Sequence, residues 1–166
     1  MGYLPGMWRD FGVTTGGLAG ALTGLLFVAV SLKSDTLAKS ISLRSRAAQT
    51  LVLFMTTALS AVVLAAPQPA GALGGELIAL AALSGATLYV LDRRGGHDAA
   101  SRVARYIERA SPNSVTSVLF GIAGFTFLLP AGGGLYWLIP AVVCSLVGGV
   151  INAWLFLVNV LQETAG

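Results

Sequence analysis

Residues 11–32 read FGVTTGGLAGALTGLLFVAVSL, a run of 22 residues that has no charged side chain. An α-helix of about 20 predominantly apolar residues is long enough to cross the roughly 30 Å of hydrocarbon in a bilayer. The run therefore predicts a transmembrane helix that begins at Phe11 and ends at Leu32.

Four further apolar stretches follow this helix, over residues 47–66, 73–91, 112–129 and 140–161. The whole chain of 166 residues is 55% apolar and only 10% charged, with a mean hydropathy of +0.81. This composition excludes an ordinary soluble domain. We expect a single all-α membrane domain over residues 1–166, built as a five-span transmembrane helix bundle.

The basic residues predict how this bundle is oriented. Of the ten Lys and Arg residues, four lie in the loop between spans one and two and five in the loop between spans three and four. Only Arg9 lies on the other side. By the positive-inside rule both basic loops are cytoplasmic, so we expect the N-terminus outside and the C-terminus in the cytoplasm of a bacterial plasma membrane. The net charge of +3 then reflects topology and anionic lipid headgroups, and no nucleic-acid partner is expected.

The loop between spans three and four also predicts a short interfacial helix. Asp98 can cap a helix in which Val103 and Ile107 share a face opposite Arg102 and Arg105. A weaker helix of the same kind is predicted between residues 34 and 46. Two interpretations stay open, since such segments serve either as basic anchors in the headgroups or as docking sites for a cytoplasmic partner.

Small residues at four-residue spacing predict packing faces on spans one and five. Span one has a glycine zipper at Gly16, Gly20 and Gly24, and span five has small residues at Ala141, Ser145, Gly149 and Ala153. Helices in lipid associate chiefly through close van der Waals approach over small residues. These faces either bind one another within one bundle or leave one face for a second copy or another membrane protein.

Polar side chains are expected near the midplane of the bilayer, where unsatisfied groups are costly. They are Thr23, Thr56, Thr57, Ser84 and Asn152, and Ser60 adds to a polar stripe with Gln49 and Thr56 on span two. The layer serves either for hydrogen bonds between helices or as the lining of a path for a solute or ion.

An ion pair is predicted at the outer surface. Arg9 is the only cation on that side, and Asp10 and Glu76 are the acidic groups near it. A pair between Arg9 and Glu76 would hold span one against span three.

The sequence has no metal-ligand cluster, no paired intramembrane Asp and no His within a span. We therefore expect no enzymatic activity, no catalytic residues, no cofactor and no metal. Ion-coupled transport is also disfavoured, because no charged residue lies near the midplane.

Four motifs carry a resemblance to known proteins: WRDF at residues 8–11, GLLFVAVS at 24–31, GGGLYW at 132–137 and GGVINAW at 148–154. They resemble a family of uncharacterised actinobacterial-type multi-span membrane proteins, some of which are labelled modulators of the membrane-anchored protease FtsH. The resemblance covers most of the spans but not the loop after Arg93. It implies membership without any catalytic or ligand residue.

Two functions follow as hypotheses. The first is a non-enzymatic accessory or modulatory subunit that acts through small-residue helix faces and basic cytoplasmic loops. The second is a homo-oligomeric passive channel or pore lined by the hydroxyl stripe of span two, with Thr56, Thr57 and Ser60 at its axis. They differ in stoichiometry, because a pore requires a closed ring of copies.

Overall fold

The computed structural model describes residues 2–32, 34, 37, 40–94, 112–129 and 132–164. Every regular element in these ranges is helical, which confirms the all-α class. The α-helices are α1 (Arg9–Leu32), α2 (Ile41–Ala65), α3 (Ala70–Arg94), α4 (Pro112–Leu128) and α5 (Leu138–Thr164). Short 3₁₀-helices at Pro5–Trp8 and Gly134–Trp137 precede α1 and α5.

Four helical stretches among the described residues are long and apolar enough to cross a membrane. They are Pro5–Leu32, Leu43–Ala65, Ala70–Arg93 and Gly134–Leu155. α4 is apolar as well, but its 17 residues rise only about 26 Å. The helices thus support a membrane protein, while the count of five spans stays a prediction.

The observed helices extend past the apolar stretches at most of their ends. α2 begins at Ile41, six residues before the predicted span, because Ser40 caps it and accepts a hydrogen bond from the Leu43 amide at 3.5 Å. Residues 41–46, the second half of the helix predicted over residues 34–46, therefore belong to α2. The interfacial helix predicted after Asp98 lies outside the described residues.

α2 is the central helix of the bundle. It packs against α1, α3 and α5, while α4 packs against α3 and α5. α1 lies at the periphery, since nearly all its contacts with other α-helices are with α2. The main apolar core consists of Trp8, Leu64, Leu73, Leu77, Ala81, Phe120, Ala123, Phe127, Leu135, Leu138, Ala141 and Val142.

Aromatic residues join the N-terminal segment to the start of α5, and we name this end of the bundle the aromatic end. The Trp8 ring meets that of Tyr136 edge to face, with centroids 5.2 Å apart. The Leu135 amide donates to the Gly2 carbonyl at 2.9 Å. Residues 132–134 are all glycine with positive φ, a conformation that only glycine adopts readily. The segments at residues 8–11 and 132–137 thus pack together.

The opposite end of the bundle has the described basic side chains other than Arg9, and we name it the basic end. Arg44 and Arg46 lie in the first turns of α2, and Arg93 lies in the last turn of α3. The two helices are tied there by Ser45, whose hydroxyl donates to the Leu91 carbonyl at 2.5 Å. This placement of the cations at one end is the pattern on which the predicted orientation depends.

Candidate functional site

A buried hydroxyl cluster joins α2 to α5 inside the bundle. Thr57 Oγ1 donates to Ser145 Oγ at 2.9 Å, and Ser145 Oγ donates to the Leu53 carbonyl at 2.8 Å. The structure thus brings together two of the predicted residues, one from the polar layer and one from the small-residue face of span five. The contact is a hydrogen bond between helices, one of the two interpretations that the sequence left open.

Other hydroxyls of the predicted layer bond mainly within their own helices. Thr56 donates to the Val52 carbonyl at 2.7 Å, and Thr23 donates to the Ala19 carbonyl at 2.8 Å. Such bonds to a carbonyl one turn back satisfy a hydroxyl without any partner helix. Ser84 is the exception, because it also lies 3.5 Å from Ser117 on α4 in a hydrogen bond between helices.

Two polar side chains in or near this layer lack such bonds. Asn152 is half-buried on α5 and forms no hydrogen bond with the described residues. Thr116 on α4 is buried, and its Oγ1 has no hydrogen-bond partner among the described residues.

The polar stripe of α2 faces the interior of the bundle. Thr56 is 3% exposed, Thr57 is 0% exposed and Ser60 is 1% exposed, while Gln49 is half-buried. The Ser60 hydroxyl donates to the Thr57 carbonyl at 2.8 Å. A lumen shared between copies of the chain would have to lie outside the single bundle, where these hydroxyls do not reach.

The small-residue face of α5 is used within the bundle. Ala141, Ser145 and Gly149 are buried, and Ala153 is half-buried. A Cβ atom added to Gly149 would overlap the Phe54 ring of α2. α5 and α2 can therefore approach closely only because residue 149 has no side chain.

α3 and α4 also meet over small residues. A Cβ atom added to Gly124 would lie 2.9 Å from the Gly74 carbonyl oxygen, which is too close for any side chain. Further along the same contact, Gly121 faces Ala81, and Gly85 faces Ser117. Ser117, Gly121 and Gly124 therefore lie on the face of α4 that contacts α3.

The glycines of α1 divide between two faces. At Gly16, which packs against α2, an added Cβ atom would lie 2.9 Å from Ala61 Cβ, and at Gly12 it would lie 3.1 Å from the Ala61 carbonyl oxygen. Gly20 and Gly24 are exposed, and an added Cβ atom would meet nothing described within 4 Å. The predicted zipper therefore does not form one continuous contact with one neighbour inside the bundle.

Helix geometry explains this division. Each residue turns an α-helix by about 100°, so a four-residue repeat drifts by about 40° at each step. The buried residues of α1 instead include Gly12, Ala19 and Leu26, which are seven residues apart and stay on one side. By the same geometry Gly17, which is also open, lies within about 60° of Gly20 and Gly24. We name Gly17, Gly20, Ala21 and Gly24 the outer face of α1.

The predicted ion pair at the aromatic end is not formed. Among the described residues Arg9 makes no ion pair with Asp10 or Glu76, all of which are exposed. Arg9 instead lines a cavity of about 290 Å³ with Gln68 and the loop after α2. The reason is the order of the helices, since α1 packs on α2 and α3 packs on α2 and α4.

No protein-family model, curated protein or solved structure matches the chain. Within the described ranges, no three His, Cys, Asp or Glu side chains group as metal ligands would. Two surfaces of the described residues stand out by their geometry: the outer face of α1, where Gly17, Gly20 and Gly24 are open, and the basic end of the bundle.

Proposed function

We propose that this protein is a non-enzymatic accessory subunit of the plasma membrane, which binds a different membrane protein through the outer face of α1. In this proposal the chain crosses the membrane five times, with the N-terminus outside. The basic loops then face the cytoplasm beside the bound partner.

The observation that supports the proposal most directly is the open space over Gly17, Gly20 and Gly24. Each of these glycines weakens the helix by about 1 kcal/mol relative to alanine. Gly12 and Gly16 offset that cost by close contact with α2, but at Gly17, Gly20 and Gly24 an added Cβ atom would meet nothing described within 4 Å. A partner helix lying on this face would gain the same close backbone approach that α2 gains on the inner face.

The position of α1 in the bundle supports the same function. The other long helices each pack against at least two neighbours, whereas α1 lies against α2 and has only slight contact with α5. Only 17% of the most apolar 18-residue stretch of α1 is buried, against 50% of the corresponding stretch of α2. Of the four long helices, α1 therefore has the largest exposed share of its surface for a partner to contact.

A channel lined by the stripe of α2 is the weaker alternative. Its lining hydroxyls would have to face water, but Thr56, Thr57 and Ser60 are buried and hydrogen-bonded within one chain. Exposing them would require α2 to leave its contacts with α1, α3 and α5. These contacts argue against that arrangement.

Photocrosslinking in the native membrane tests the proposal. A photoreactive amino acid replaces Val28, which is exposed and lies one turn beyond Gly24. We expect a cross-linked species that contains this chain and one different membrane polypeptide, identified by mass spectrometry. Gly20→Leu should reduce its yield about tenfold, since a side chain there prevents close approach of the partner.

Ala82→Leu is the matched control, because Ala82 is also exposed and lies near the middle of α3. It adds the same bulk at similar depth and should leave the yield unchanged. Equal losses in both variants, or a yield that Gly20→Leu does not lower, would contradict the proposal. Cross-links to further copies of this chain alone would favour self-association instead.

A further inference from the structure

An apolar groove lies between α1 and α2 at the basic end. It forms a partly open cavity of about 200 Å³. Its lining residues are Leu26, Phe27, Val30, Leu37, Arg44, Ala47, Ala48 and Leu51. Arg44 is the only polar side chain among them.

The groove arises from a change in side-chain size along the contact between α1 and α2. Near the aromatic end, Gly12 and Gly16 bring the two helices together over Ala61. Near the basic end, Leu26 and Val30 replace glycine on α1, while Ala47 and Ala48 on α2 are too small to fill the space between the helices. The space is therefore a consequence of the sequence on both helices.

The chemistry of the lining identifies the occupant. We propose that the groove binds one acyl chain of an anionic phospholipid, with the phosphate of that lipid held by Arg44. Apolar walls between apolar helices offer nothing to a polar ligand, but they match a hydrocarbon chain. A guanidinium in the lining can bind phosphate oxygens through two parallel hydrogen bonds.

The surroundings of Arg44 favour an anionic headgroup over a neutral one. Arg44 is exposed and forms no ion pair with a described acidic residue, so its charge is available to a ligand. Arg46 lies two residues away, and Arg93 lies at the same end with its guanidinium 4.6 Å from the centre of the Tyr89 ring. The combined positive charge attracts anionic headgroups to this end of the bundle.

A lipid bound in the groove and a general attraction of lipids to a charged surface depend on different arginines. A surface potential depends on Arg44 and Arg46 alike. A lipid seated in the groove depends on Arg44, which lines it, and not on Arg46, which does not. It also depends on the space beside Ala48, which a surface potential ignores.

Native mass spectrometry of the purified full chain tests this site with phosphatidylglycerol and phosphatidylcholine of the same acyl composition. We expect phosphatidylglycerol to bind more tightly. Arg44→Gln should lower the ratio of phosphatidylglycerol-bound to free protein at least about tenfold, because Gln has no positive charge with which to bind the phosphate. Ala48→Leu, which fills the groove, should lower it by a similar factor. Arg46→Gln should change it less than twofold.

Three results would overturn the proposal: equal losses for Arg44→Gln and Arg46→Gln, no loss for Ala48→Leu, or equal binding of the two lipids. Circular dichroism checks that each variant is folded. If Ala48→Leu is not folded, Ala48→Val repeats the test with less added volume. Gly20→Leu should leave lipid binding unchanged, since Gly20 does not line the groove. The experiments can therefore contradict the lipid site without contradicting the proposed docking function, and the reverse.

Discussion

Thr57 Oγ1 on α2 donates a hydrogen bond to Ser145 Oγ on α5 at 2.9 Å, and both side chains are fully buried. Ser145 then donates to the Leu53 carbonyl one turn earlier on α2. A hydroxyl in lipid that loses its partner cannot turn to water instead. The pair therefore fixes both the distance and the register of the two helices.

A double-mutant cycle on this pair measures its contribution to stability. We expect Ser145→Ala to lower the free energy of unfolding by about 1 kcal/mol, and Thr57→Val, which keeps the side-chain shape, to lower it by less. The coupling between the two should be about 0.6 kcal/mol, as for other hydrogen bonds between membrane helices. Unfolding in mixed detergent micelles, followed by circular dichroism, gives these values.

Thr87→Val is the control for that cycle, since Thr87 is bonded only to the Leu83 carbonyl of its own helix. It should show no coupling to Ser145→Ala. A coupling energy of zero between Thr57→Val and Ser145→Ala would mean that the hydrogen bond contributes nothing to the bundle.

The close contact of α2 and α5 predicts a strong effect of a single methyl group. Gly149→Ala places a Cβ atom in overlap with the edge of the Phe54 ring and should lower stability by about 1–3 kcal/mol. Gly75→Ala on α3 has open space and should be neutral or slightly stabilising, because alanine favours the helix.

Phe54→Leu in the Gly149→Ala background should recover part of the loss, because the smaller side chain makes room for the methyl group. The same micelle unfolding assay applies. If Gly149→Ala and Gly75→Ala were equally stable, the packing of α5 on α2 described here would be incorrect.

The positive-φ glycines at the aromatic end predict that the N-terminal segment is held by backbone conformation. Gly134→Ala should release it, because residue 134 has φ +58° and an added Cβ atom would lie 2.6 Å from the Gly2 carbonyl oxygen. A left-handed conformation costs a non-glycine residue about 1–2 kcal/mol. Faster proteolysis of the N-terminal segment and altered Trp8 fluorescence would report the release.

Gly6→Ala is the matched control for this substitution, since an added Cβ atom there meets nothing described within 4 Å. It should leave both proteolysis and fluorescence as in the wild type. Equal proteolysis of wild type and Gly134→Ala would count against the clamp.

The predicted orientation can be measured by cysteine labelling of intact cells. In a Cys144→Ala background, Ala66→Cys should react with a membrane-impermeant maleimide added from outside, because position 66 lies at the end away from the basic loops. Asp92→Cys, at the basic end, should react only after the membrane is permeabilised. If only Asp92→Cys were labelled in intact cells, the orientation would be the opposite of the predicted one.

Sequence reasoning found the helices because a long apolar run leaves few alternatives in a bilayer. It missed their true ends, since Ser40 starts α2 through a hydrogen bond that hydropathy does not register. It also treated Gly16, Gly20 and Gly24 as one face. The repeat of Gly12, Ala19 and Leu26 at seven residues was the signal for the buried side of α1.

Contacts between distant parts of the chain were harder to predict. The sequence proposed that Arg9 pairs with Glu76, but which helices are neighbours depends on side-chain packing that local patterns do not specify. The hydrogen bond between Thr57 and Ser145 could not be predicted either, although the sequence patterns indicated each residue separately. The groove beside Arg44 had no local signal, because it results from the sizes of residues on two helices.

Binding of a different membrane protein to the outer face of α1 can be observed by native mass spectrometry of the protein released with its own lipids from the native membrane. We predict an assembly in which this 17.0 kDa chain is bound to another polypeptide, and loss of that assembly in Gly20→Leu but not in Ala82→Leu. A wild-type protein found only as a monomer, or only as a ring of identical chains, would contradict the claim.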